Sequence, residues 1–467
     1  MILENIEEFD GKSCPVLIIG SGPAGLTLAL ELEKKNIQSV IIEAGGEDYS
    51  DKSQSYYKIN AKGTHLKDIS NSRLRQFGGT SAIWGGWCKP LSNLDFINFG
   101  LNPSQINKYQ NIACEILNID NSFRESAINE DFNQIEFQYS NVRFHKKYFD
   151  QIKQSKNIKL ILNTQLSHFD GKNNRIEDAI CISNGKFSKI EVQEFVLCCG
   201  GIENSRILLW SKYKNKNLFN KDLKIGKFWM THYWILGGIG FVNLKKFKSY
   251  MKNRFIDKDG PIHISANENN LDGELQSSLY LSTNEDQNFI KEMVKSVLCI
   301  APEYGKKISK LILNKSLKCG NIFMHVEEKP IEENEIILDM NNKDNNGIPF
   351  AKINYKSSFI AKKNAKNLIE KLANFFREND LGRVAIAEEL YQLEEFQNLG
   401  SYHHLGGTLI GKDSKDSVVD NNLKVHGIDN LYISGSSTFN HGTYKNPTFS
   451  IIQLSLKLAD DLKNKLS

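Results

Sequence analysis

The sequence predicts an α/β fold: a parallel sheet with helices, interrupted by a second domain on a mostly antiparallel sheet. Three observations predict it. Val16-Leu17-Ile18-Ile19 is an apolar, β-prone run that enters Gly20-Ser21-Gly22-Pro23-Ala24-Gly25 and then a helical stretch to residue 35. The same design returns at Phe195-Val196-Leu197-Cys198-Cys199-Gly200-Gly201, and strand then glycine turn at Leu431-Tyr432-Ile433-Ser434-Gly435-Ser436. Between these blocks the texture changes near Gly226 to short strands and one amphipathic helix. The expected division is 1–226, 227–394 and 395–467, with the first and third parts sharing one domain.

The opening block carries the first chemistry. Gly20, Gly22 and Gly25 have the G-x-G-x-x-G spacing. The first glycine permits a tight turn, the second lets backbone approach a pyrophosphate, and the third lets the helix pack on the strand. A helix N-terminus then offers free N–H groups to phosphate. The next strand, Ser39-Val40-Ile41-Ile42, ends on Glu43. An acid about 20 residues beyond the glycines can accept the hydroxyls of an adenosine ribose. A Rossmann-like domain binding a dinucleotide with a free 2′-hydroxyl is expected. This motif alone does not separate FAD from NAD.

Composition narrows the partners. A net charge of +4 argues against a polyanion, so no nucleic acid is expected. No apolar run approaches a membrane span. Residues 1–12 are acidic and lack an apolar core, so no secretory signal is expected. None of the eight cysteines forms a C-x-x-C pair, which leaves metal sites without sequence support. A cytoplasmic location is the expectation.

Along the chain, Gly78-Gly79-Thr80-Ser81-Ala82-Ile83-Trp84-Gly85-Gly86-Trp87 suits neither a regular helix nor a regular strand. Its glycines allow close backbone approach, Thr80 and Ser81 can bind phosphate or ring oxygens, and the tryptophans give flat walls. Helices are expected at 104–117 and 146–154, a strand at 159–163, and a hairpin at 176–192 turning on Asn184-Gly185. In the middle block, residues 233–242 suit a bent strand and 285–315 a basic helical region. Antiparallel strands are expected at 321–327, 335–340 and 350–355. The helix at 360–379 has Leu368, Leu372, Phe375 and Phe376 on one face. The C-terminal part holds Tyr402-His403-His404-Leu405-Gly406-Gly407-Thr408, then Asn446-Pro447-Thr448 before an apolar helix.

These blocks, in this order, resemble the glucose–methanol–choline (GMC) oxidoreductase family. The forms Gly-Gly-Thr-Ser-x-x-Trp-Gly-Gly and His-Leu-Gly-Gly-Thr are most similar to its pyranose-oxidase-like, bacterial sugar-oxidising branch. The resemblance implies a Rossmann-like FAD-binding domain of the GMC / p-hydroxybenzoate-hydroxylase-like type with an inserted substrate domain. It also implies bound FAD and oxidation of an alcohol, often a sugar or polyol hydroxyl. His404-Leu405-Gly406-Gly407-Thr408 fits the family's histidine, two residues, Gly-Thr pattern, so the role of base is carried to His404. Counting back from Gly411 would favour His403 instead, and the arginine the family often places nearby is missing. Asn446 matches the family's second polar residue. Some sugar-oxidising relatives carry a histidine that bonds covalently to the flavin; here that position is Ile83, so non-covalent FAD is implied. Cofactor contacts are expected from Gly20, Gly22, Gly25, Glu43, Gly78, Gly79, Thr80, Ser81, Trp84, Gly85, Gly200, Gly435, Ser436 and Thr448.

Alcohol oxidation by a flavin needs a hydroxyl proton removed and a hydride moved from the same carbon to the flavin N5. Neutral imidazole suits the first task, and a carboxamide can hold the oxygen so that the C–H is aimed. Both histidines could also be loop residues satisfied by backbone, and Asn446 before Pro447 is equally a helix cap. His441 could line the substrate pocket or sit on a surface loop, and Glu203 suits either an exposed helix face or a structural pairing near the FAD. Two rivals stand beside the alcohol oxidoreductase: a redox-silent flavoprotein lyase, and the flavin subunit of an electron-transfer complex. The expected partners are a small-molecule alcohol, carbohydrate-like, and an electron acceptor that the sequence leaves open.

Overall fold

The computed structural model describes residues 1–3, 6, 9, 14–63, 66, 69–250, 262–267, 276–281, 317–392, 396 and 401–467. The basic region expected at 285–315 and the boundary at 394/395 fall outside the described residues.

A six-stranded parallel sheet forms the base. Its order is Ile2–Leu3, Ile158–Ile161, Ser39–Ile42, Val16–Ile19, Glu194–Leu197, Leu431–Ile433. Strands at 16–19, 39–42 and 194–197 are buried at every residue, as strands covered on both faces must be. Helices Pro23–Lys34 and Thr448–Leu466 pack against each other beside this sheet. The expected hairpin is Arg175–Ser183 with Lys186–Ile190, joined through Asn184 (φ 49°) and Gly185 (φ 76°), the left-handed pair that a tight hairpin requires. A third strand, Thr164–Lys172, pairs with the first and packs on helix Gly200–Lys214.

A seven-stranded antiparallel sheet forms the second layer. Its order is Gly382–Ile386, Tyr233–Asn243, Leu317–Val326, Ser277–Leu281, Ile262–Ala266, Phe132–Ile135, Glu125–Ala127. The bend expected at 233–242 is a bulge between Leu236 and Gly238. Helix Phe359–Glu378 covers one face of this sheet with Leu368, Leu372, Phe375 and Phe376. Two expectations need correction. The strands near 335 and 350 are not part of this sheet: Glu335–Lys343 and Pro349–Tyr355 form a separate sheet with Ile59–Gly63, which pairs parallel. The helix expected over 104–117 is two helices, Pro103–Asn107 and Gln110–Leu117.

The result is a Rossmann-like domain with an additional mixed α/β domain. No helix among the described residues is long and apolar enough to cross a membrane.

Candidate active site

A cavity of about 880 Å³ runs between the two layers. At one end it meets the first glycine turn. Gly20 (φ 101°) turns so tightly that a Cβ there would lie 2.7 Å from the Cys198 carbonyl oxygen. A Cβ on Gly25 would lie 2.0 Å from the Gly20 carbonyl oxygen, so helix and turn touch through this residue. Gly22 differs: a Cβ there would meet nothing within 4 Å. It would project into open space at the start of helix Pro23–Lys34. Glu43 ends its strand beside this turn. One carboxylate oxygen accepts from the Ser21 N–H (3.0 Å) and hydroxyl (2.7 Å), and the other from the Gly45 N–H (2.8 Å).

Farther along come Gly79, Thr80, Ser81, Trp84 and Gly85, then Gly200, Gly435, Ser436 and Thr448, all lining the same cavity. Their side chains chiefly hold the wall in place. Thr80 Oγ1 accepts from the Leu74 N–H at 3.2 Å, Ser81 donates to the Gly78 carbonyl at 2.7 Å, and Trp84 Nε1 donates to the Val142 carbonyl at 2.8 Å. Ser436 donates to the His404 carbonyl at 2.7 Å. Gly25 and Gly78 are not in the lining; Gly78 (φ 80°) lies against His145. The residues that do line it bring two helix N-termini, at Pro23 and Thr448, to one space.

The far wall belongs to the seven-stranded sheet. Trp234 pairs with His325, Tyr280 with Phe323, and His263 with Tyr280, so the period-two alternation of the strands turns all five to the cavity. Ring centroids follow one another at 5.3 Å for Trp87–His263, 5.1 Å for His263–Tyr280, 5.7 Å for Tyr280–Trp234 and 4.3 Å for Trp234–His325. Among the described lining residues, this sheet contributes no Asp, Glu, Lys or Arg.

His403, His404 and Asn446 all line the cavity. Asn446 donates from Nδ2 to the Trp87 carbonyl at 3.0 Å, and its Oδ1 is buried without a partner. His404 is buried, stacks on Trp229 at 5.8 Å, and meets Ser72 Oγ through Nε2 at 2.7 Å. Burial, with Arg73 nearby, pushes its imidazole down to about 3. His403 is half-buried, and its Nδ1 lies 2.6 Å from His232 Nε2.

Other sequence candidates fall elsewhere. His441 is not in the cavity lining: it contacts Asn440 and Asp95, the latter also an ion-pair partner of Lys445 at 2.8 Å. Glu203 is buried between Arg73 (2.7 Å) and Arg206 (3.0 Å), and Arg206 reaches Asp344 at 2.7 Å. Burial would raise its carboxyl, but Arg206 and Arg73 hold it below the usual range. Sequence reasoning missed Ser72, Arg73, His232, His263, Tyr280 and His325.

Shape and polarity fit an FAD. The open position at Gly22, the two helix N-termini, the carboxylate of Glu43 and the unpartnered Asn446 Oδ1 form one continuous cradle. No group of three or more His, Cys, Asp or Glu among the described residues could hold a metal.

Comparison with known proteins agrees with this fit. Residues 330–455 match the GMC oxidoreductase family, and residues 13–60 match an FAD binding domain. Fructose dehydrogenase large subunit of Gluconobacter japonicus is 25% identical over 285 residues, covering 60% of this chain and 48% of that protein. The 2-methyl-1,2-propanediol dehydrogenase of Mycolicibacterium austroafricanum is 26% identical over 152 residues, covering 31% and 25%. The chain thus matches about half the length of the first relative and a quarter of the second. In fold, pyridoxine 4-oxidase from Mesorbium loti superposes with a TM-score of 0.62 at 12% identity, covering 96% of this chain and 99% of that one. An FAD-dependent oxidoreductase from Chaetomium thermophilum gives 0.59 at 13%, covering 97% and 99%. In sequence, residues 330–455 are thus similar to the GMC oxidoreductase family and residues 13–60 to an FAD binding domain, and the two solved structures share the fold.

Proposed function

We propose that this chain is an FAD-dependent oxidoreductase that oxidises the CH–OH group of a neutral, hydroxyl-rich molecule, a sugar or polyol. The observation that carries the reading is one cavity with the open Gly22 cradle at one end and an imidazole pair with Asn446 on its wall. The names of the two dehydrogenase relatives, one acting on fructose and one on a propanediol, support it. So does the sheet wall of Trp234, Tyr280, Phe323 and two imidazoles: flat rings pack against the C–H faces of a sugar, and no fixed charge there selects an ion.

Gly22, Gly79, Gly200 and the N–H groups of helix Pro23–Lys34 would hold the pyrophosphate, and Glu43 the adenosine ribose. Thr448, at the start of its helix, would face the ring system. Ile83 stands where some sugar-oxidising members of the resembled family carry the flavin-linked histidine, and the reading is therefore of a non-covalent FAD. Bound FAD supplies the acceptor for the electrons of the substrate C–H bond. Asn446, fixed by its bond to the Trp87 carbonyl, orients the substrate oxygen. An imidazole of the His403–His404 pair takes the hydroxyl proton. His404 is the member that fits the sequence motif.

The test is an anaerobic screen of the purified protein against sugars, polyols, amino-alcohols and aliphatic alcohols. The expected result is a yellow protein whose colour bleaches with a neutral polyhydroxylated compound and whose FAD is released on denaturation. A colourless protein, or a yellow one that no alcohol bleaches, contradicts the reading. A second reading, a flavin subunit passing electrons to a partner protein, is favoured by the relative named as a large subunit. It predicts bleaching without oxygen consumption and a co-purifying partner.

A further inference from the structure

His232 lies buried behind the cavity against His403 on its wall, and their hydrogen bonds fix which nitrogen of each carries the proton. The Thr443 carbonyl oxygen lies 2.5 Å from His232 Nδ1. A carbonyl only accepts, so His232 carries its hydrogen on Nδ1. Burial pushes His232 down to about 4, so the ring is neutral and its Nε2 is a lone pair. That lone pair faces His403 Nδ1 at 2.6 Å. His403 therefore donates from Nδ1, and its Nε2 is left as the acceptor. No described residue bonds Nε2, which is not sealed from the cavity that the ring lines.

His404 is set the opposite way. The Ser72 hydroxyl gives its single hydrogen to the Ile69 carbonyl at 2.6 Å. The contact of 2.7 Å between Ser72 Oγ and His404 Nε2 must then be donated by the imidazole. Its remaining lone pair, on Nδ1, is buried without a partner.

We infer that His403, rather than His404, presents the proton-accepting nitrogen to the cavity, and that His232 is the positioning residue that fixes its tautomer. The inference rests on the proposed CH–OH oxidation for its chemistry, while the tautomers follow from the hydrogen bonds of neutral, buried rings. As the substrate O–H bond breaks, an N–H bond forms at His403 Nε2. The resulting positive charge is shared across Nδ1–H with the His232 lone pair. His325, with its ring 5.1 Å from His232, and His404 are the other titratable groups around the pair. Both are held well toward neutral by burial, so neither adds a competing fixed charge.

The test uses the FAD-loaded protein with isotopically labelled histidine ring nitrogens, read by NMR and assigned through single His→Asn variants. The expected result is a neutral Nδ1–H tautomer at His403 and a neutral Nε2–H tautomer at His404. In stopped-flow bleaching, His403→Asn should slow the reaction by about 10²- to 10⁴-fold with flavin content unchanged, and His404→Asn by far less. His232→Leu should mix the His403 tautomers and slow bleaching without moving the substrate concentration for half-saturation. His232→Gln, whose carbonyl can still accept, should restore both the tautomer and the rate. An Nε2–H tautomer at His403, or loss of bleaching in His404→Asn with His403→Asn intact, overturns the inference. If no alcohol bleaches the flavin, the proposed reaction fails while the tautomers still decide the relay.

Discussion

Gly22 and Gly25 stand on the same turn, yet alanine must act oppositely at the two positions. At Gly22 the backbone is extended (φ −70°, ψ −175°), and the added methyl meets no atom within 4 Å. Folding does not suffer; the stiffer unfolded chain should stabilise the flavin-free protein by about 0.4–1 kcal/mol. The methyl would occupy the space proposed for the pyrophosphate. Gly22→Ala should therefore weaken FAD binding by at least about tenfold, roughly 1.4 kcal/mol. At Gly25 the methyl would sit 2.0 Å from the Gly20 carbonyl oxygen, an atom that cannot rotate away. Gly25→Ala must push the helix off the turn, at about 1–3 kcal/mol for an overpacked contact. The assay is thermal unfolding of flavin-free protein alongside the flavin-to-protein ratio after reconstitution. Expected is a Gly22→Ala protein that melts no lower than wild type but stays pale, and a Gly25→Ala protein that melts lower. A Gly22→Ala variant that binds FAD like wild type refutes the placement of the phosphates.

Other outcomes follow from the same geometry. Arg73→Ala leaves Glu203 buried with only Arg206, and should cost about 3–5 kcal/mol of stability in denaturant unfolding; an unchanged midpoint would show the ion-pair chain to be slack. Asn446→Ala frees the Trp87 carbonyl and removes the orienting amide, so bleaching should slow by about 10²-fold with flavin retained. Glu328 accepts from Tyr233 at 2.6 Å, but burial pushes its carboxyl up to about 8. Its folded value exceeds the unfolded one, so the native state keeps the proton. Stability from this group is full below the unfolded value and declines as pH rises from the ordinary carboxylate range toward 8. Glu328→Gln should flatten that part of a melting-temperature profile; an identical slope would show the group ionised in the fold.

The parallel sheet was legible because its strands are short, mostly apolar runs, a pattern set by burial on both faces. Val16–Ile19, Ser39–Ile42 and Glu194–Leu197 all show it, and the helix from Pro23 follows directly. Thr164–Lys172 was hidden because a register shift between Leu166 and His168 breaks its alternation. The parallel partner of Pro349–Tyr355 lies far upstream at Ile59–Gly63, and no local signal announces it. At the site, the glycine motifs and Glu43 could be read because backbone chemistry fixes their spacing. His263 and His325 could not, since strand register alone sets them beside Tyr280 and Trp234, and His232, just ahead of its strand, is held by the distant Thr443 and His403. Which ring nitrogen of each imidazole carries the proton depends on Ser72 and Thr443, distant residues whose hydrogen bonds leave no periodic trace.

A crystal structure of the protein carrying its own flavin tests the account most directly. The account predicts density along the cavity with the pyrophosphate against Gly22, the ring system beside the N-terminus at Thr448, and His403 Nε2 and Asn446 turned to the same face of the ring. Flavin density elsewhere, or a ring from which both side chains point away, would contradict it.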